Sequence, residues 1–112
     1  SLLELENMDL SVIRGAEYLL IPTGPRPKEL LFFGNVDVEL LDLAGGSLGT
    51  GVALDDGQGN PITHLSLEGM PGSEELVVRV TPMGMNASIV DEQEWANSSF
   101  PAEPFRMVWQ RP

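Results

Sequence analysis

The sequence predicts an all-β fold, an antiparallel β-sandwich of the immunoglobulin-like or jelly-roll-like kind, and three observations predict it. Apolar residues recur at every second position in three places: Val36, Val38 and Leu40; Leu76, Val78 and Val80; and Phe105, Met107 and Trp109. A period of two sets alternate side chains on opposite faces of a strand. Clusters of Gly, Pro, Asn and Asp punctuate these segments roughly every ten residues, as in short-stranded sandwiches and barrels. No segment carries sustained helical periodicity.

Taken in order, Leu2, Leu3 and Leu5 stand among Glu4 and Glu6 in a stretch too short to distinguish a helical turn from a strand. From Asp9 to Thr23, the residues Val12, Ile13, Tyr18 and Ile21 predict a pair of extended segments, with Gly15 as a bulge or turn between them. Pro22 to Lys28 contains three prolines, which withhold backbone donors, and Gly24, which permits positive φ. That segment predicts a stiff protruding loop. Glu29 to Leu43 is strand material in which the apolar phase moves by one residue, from Val36, Val38 and Leu40 to Leu41 and Leu43. A phase change of one residue implies a β-bulge or a strand end buried on both faces.

Ala44 to Ser47 is a turn, Val52 to Leu54 a short strand, and Asp55 to Pro61 a second turn. Ile62 to Leu67 and Glu75 to Thr81 read as a hairpin pair around Gly69 to Ser73. Ala87 to Trp95 holds a candidate helical turn or two with Ser88 as N-cap. Phe105 to Arg111 closes the fold between two prolines. The sum is about seven or eight strands with at most one short helix. It forms a single domain over residues 1–112, and the start at Ser1 rather than Met suits a piece of a longer chain.

Composition narrows the function classes. The chain of 112 residues has no cysteine, which excludes a disulfide scaffold, a thiol nucleophile and thiolate metal sites. No apolar run approaches the ~20 residues a membrane helix needs. The net charge of −11 disfavours binding to nucleic acid or anionic lipid, and favours a basic partner or divalent cations. The acids are dispersed rather than gathered in a tract.

Candidate sites are few. His64 is the one imidazole, lies in an alternating strand, and has no Gly-x-Ser-x-Gly elbow to supply a nucleophile. Asp55, Asp56 and Asn60 surround two glycines in an oxygen-rich turn of the type that suits calcium. The EF-hand spacing is not met, and the competing reading is an Asx-type turn. Phe32 and Phe33 are adjacent in a strand, so their side chains point to opposite faces and one is left outward for a partner. Arg26 and Lys28 place basic charge on the proline-rich tip of an acidic body.

Two resemblances accompany these residues. The run Val36 to Asn60, a strand followed by an Asp-Asp-x-x-Gly-Asn-Pro-type turn, resembles bacterial immunoglobulin-like modules. Leu31-Phe32-Phe33-Gly34, His64-Leu65-Ser66-Leu67 and the acidic balance are similar to nucleoplasmin-type histone chaperones, although the spacing departs from that pattern and the acidic tract that binds basic partners is missing. The expectation from the residues is a non-catalytic interaction or structural module that binds a protein or itself. The alternative is a calcium-assisted carbohydrate or small-ligand binding domain. No cofactor is expected beyond that calcium.

Overall fold

The computed structural model describes residues 5–13, 15–84 and 102–112. Among them run nine strands: β1 Leu5–Val12, β2 Glu17–Ile21, β3 Glu29–Phe33, β4 Val36–Leu41, β5 Ser47–Thr50, β6 Val52–Asp55, β7 Pro61–Ser66, β8 Leu76–Pro82 and β9 Glu103–Gln110. They form two antiparallel sheets, one ordered β1-β9-β3-β7-β6 and the other β2-β8-β4-β5. The fold is an all-β sandwich. Early and late strands alternate between the sheets, the interleaving of a jelly roll. No described helix exists that is long and apolar enough to cross a membrane.

Burial follows the alternation. Val36, Val38 and Leu40 of β4 and Leu76, Val78 and Val80 of β8 are buried, and they face Leu30, Phe32, Leu65 and Phe105 of the other sheet. Met107 and Trp109 continue the β9 row and pack on the same core while half-buried. The rings of Phe32 and Phe105 lie 6.2 Å apart, tilted by 40°. Each such side chain contributes about 1.5–3 kcal/mol on full burial.

The phase change in β4 is real and has a definite form. Leu40 pairs with Gly49 while Leu41 pairs with Ser47, so Leu48 of β5 is the extra residue of a bulge. Leu40 then points into the core and Leu41 onto the opposite face, where it is buried beside its ladder partner Val77. Leu43 does not join them: it is exposed beyond the end of the strand.

Three expectations change. The strands number nine, because Ser47 to Asp55 contributes β5 and β6 where one short strand is expected. β7 and β8 are not a hairpin, since β7 lies between β3 and β6 while β8 lies between β2 and β4. The inner faces of both strands are apolar, and they meet across the core rather than edge to edge; the real hairpin is β6–β7, closed by the Asp55–Pro61 turn. The helical turn proposed at Ala87 to Trp95 lies outside the described residues.

The transfer between sheets occurs at Gly51. Its amide donates to Val38 O at 2.8 Å as β5 ends, and β6 begins in the other sheet at the next residue. A Cβ here would stand 2.4 Å from Thr63 Cγ2 and 3.3 Å from Val38 Cβ. Thr63 is itself buried and donates its hydroxyl to Val36 O at 3.4 Å, tying the two sheets at this corner. Gly51→Ala is therefore expected to cost about 1–3 kcal/mol by overpacking. Gly49→Ala, with no atom within 4 Å of its new Cβ, should stay within about 0.5 kcal/mol of the parent. Urea denaturation of the two variants checks this, and equal midpoints would refute the crowding.

Candidate interaction surface

Ladder partners share a face, so the register places side chains on the outer surface of the five-stranded sheet. Phe33 pairs with Ile62 on one side and Arg106 on the other, and Ile62 pairs with Leu54. One step along, Leu31 pairs with His64 and with Val108, and His64 pairs with Val52. Two neighbouring rows thus carry Leu54, Ile62, Phe33, Val52, Leu31 and Val108 on the face turned away from the core. Val52 is 60 % exposed, Leu54 44 % and Phe33 39 %. An antiparallel sheet with one solvated face ordinarily shows polar residues there. This one shows an apolar field.

Charged pairs border it. Arg106 donates from Nε to Asp9 Oδ1 at 2.7 Å and from Nη2 to Oδ2 at 3.2 Å, a two-point pairing across β9 and β1. That hydrogen bond, and then the charge of Arg106, hold the Asp9 carboxyl below its usual range. On the other row, His64 Nε2 lies 2.6 Å from Glu29 Oε2. An imidazole on a carboxylate is two parts of a nucleophilic triad, but no hydroxyl hydrogen-bonds this imidazole among the described residues. Ser66, the nearest hydroxyl on the same strand face, accepts from the Glu68 amide at 3.2 Å.

The aromatic pair divides as the alternation requires. Phe32 is fully buried against Phe105 and is unavailable to any partner, which corrects its assignment as a binding residue. Phe33 is the outward member. Arg26 is also corrected. It does not project from a tip but folds back, its Nη2 donating to Pro22 O and Glu74 O. Lys28 is exposed, yet it precedes β3 whereas Phe33 ends it, a separation of roughly 16 Å along a strand. The basic residues and Phe33 do not share one site. Sequence reasoning missed Val52, Leu54 and Ile62, because an apolar residue in a strand reads as core until pairing shows its face.

Asp55, Asp56 and Asn60 are brought together, and three of the four aspartate oxygens already accept hydrogen bonds. Asp55 Oδ1 accepts from the Gly57 amide at 2.7 Å, and Asp56 Oδ1 accepts from the Gln58 amide at 2.7 Å. Asp56 Oδ2 takes the Asn60 side-chain amide at 2.8 Å, so Asn60 presents a donor where a cation needs an acceptor. Among the described residues no group of three His, Cys, Asp or Glu side chains gathers to hold a metal.

The Gln58 amide, followed by the Asn60 side chain, lowers the Asp56 pKa from 3.8. A carboxyl lowered on folding adds stability that is complete above its unfolded pKa and is lost as pH falls through the folded one. Asp56→Ala is thus expected to melt lower than the parent near neutral pH, with the difference closing below about pH 3. Thermal melts across that range test it, and a difference that persists in acid would refute it. Millimolar calcium should leave the parent melting point unchanged. No family model matches this chain, and no curated protein or solved structure does either.

Proposed function

We propose that the chain is a non-catalytic interaction module whose partner protein docks on the outer face of the five-stranded sheet. The supporting observation is the apolar field of Phe33, Val52 and Leu54 with Leu31, Ile62 and Val108 on one outer face, since exposed apolar patches mark recognition surfaces. Phe33 is the aromatic member of this field, and aromatic anchors commonly dominate binding energy. The ion pairs Asp9–Arg106 and His64–Glu29 lie within and beside the patch and are partly exposed, suiting a polar border.

Charge selects between a second copy and a different protein. Two copies each carrying −11 repel, so a neutral or basic partner is favoured. The same field also argues against a hydrolytic role for His64, which stands on an open sheet rather than in a cleft that excludes water.

The test uses the double variant Phe33→Asp, Val52→Asp. Both positions are solvent-exposed, so the melting point should stay close to that of the parent. In affinity capture from cells that produce the chain, a protein retained by the parent should fall about tenfold or more with the variant. Identical capture profiles, together with a parent that sediments as a monomer at every concentration, would refute the reading.

A further inference from the structure

At the end of the sandwich where β2 and β9 finish and β3 begins, the two sheets do not close completely. A pocket of about 250 Å³ opens there between the inner faces, walled by Leu19, Ile21, Leu30, Leu67, Met107 and Trp109 and roofed by the loop Pro22–Pro27. It exceeds the ~150 Å³ apolar cavity that holds benzene. Arg26 lines it as well. Its Nη2 is tethered to the carbonyls of Pro22 and Glu74, while Nε and Nη1 are buried and have no acceptor among the described residues.

Cationic donor atoms buried without an acceptor are costly unless something completes them. Two nearby acids are otherwise engaged. Glu6 takes the Trp109 indole N–H at 2.8 Å and Arg111 Nε at 2.8 Å, and Glu29 faces His64. From these two observations, the apolar pocket and the uncompleted guanidinium, we propose that this pocket binds a small apolar monocarboxylate, its tail among Leu19, Leu67 and Trp109 and its carboxylate on Arg26. A carboxylate oxygen takes a charge-assisted hydrogen bond from one of these free donors, roughly twice as strong as the one a neutral amide oxygen would take. Nε and Nη1 are closed to solvent, so binding requires the guanidinium to turn about its Nη2 hydrogen bonds to meet the carboxylate. Lys28 and Arg111 line an adjoining depression with Arg26, so three of the six basic residues stand at this end of an acidic chain. They offset the repulsion an anion meets elsewhere, although Glu29 and Glu68 share that depression. The site is separate from the apolar field around Phe33 and does not depend on it.

Hexanoate and hexanamide are the probes, matched in size and differing in charge. The readout is the Trp109 indole N–H resonance in nuclear magnetic resonance spectra of the full chain, assigned with Trp95→Phe. Saturable shifts by hexanoate, with hexanamide bound at least tenfold more weakly, are the expected result. Arg26→Met should abolish the preference while the pocket still admits hexanamide. Absence of any saturable shift, or equal affinity for the two probes on the parent protein, overturns the proposal. The comparison on the parent stands even where Arg26→Met loosens the loop and fails to fold.

Discussion

Four of the seven strand pairings among the described residues are made by the two strands that arrive last. β9 lies between β1 and β3, and β8 lies between β2 and β4. Among the described residues, β1 has no ladder partner except β9, and β2 none except β8. β1 therefore has no sheet to join until residues some ninety positions away are in place, as the pairing of Leu10 with Phe105 shows, and β2 none until residues some sixty positions away are. Closing loops of that length costs entropy that only the completed core returns. Folds of this kind are built from non-local contacts and are slow to form for that reason.

The core then accounts for both the sites. Filling the space between the sheets consumes the inner residues of β3, β4, β7 and β8, with Phe32 and Phe105 at its centre. At the end where β2 and β9 finish, Leu19, Ile21, Met107 and Trp109 are only half-buried and prolines cover them in place of a packed strand, which leaves the Arg26 pocket. On the outside, β6 attaches as an edge strand whose side chains are all exposed, extending the apolar rows of β3 and β7 to the rim. Edge strands are commonly blunted with charge or proline. Here Pro61 and Asp55 stand at one end of the β6–β7 pair and the rest of β6 is apolar or small.

The fold class was legible in the sequence because alternation and turn chemistry are local. The burial of Leu40 and Leu41 on opposite faces could be read from a one-residue phase slip, and the turn at Asp55 to Asn60 from its Asx residues. What escaped was pairing. Adjacent apolar strands such as Ile62–Leu67 and Leu76–Thr81 look like a hairpin from one end of the chain to the other, yet they belong to opposite sheets. The same limit hid the candidate surface. Whether Val52 or Ile62 faces the core depends on which strand lies beside it, and no local pattern contains that. Phe32 and Phe33 could be assigned to opposite faces, but which was inward was decided by Met107 and Phe105 across the ladder and the ring stack. Arg26 looked like a tip residue because the sequence shows its prolines and not the carbonyls it turns back to reach.

The pairing of Leu5 with Gln110 also has a mechanical consequence. In antiparallel ladders the hydrogen bonds run perpendicular to the strands. Tension applied across these two residues therefore pulls along those bonds and opens the β1–β9 seam one pair at a time, as a zipper does. Force transmitted in that direction meets only the few bonds at the opening fork. A load directed along the strands instead would strain all eight pairs of the seam together. The sandwich is accordingly soft toward a pull through its two ends and stiff along its strand axis.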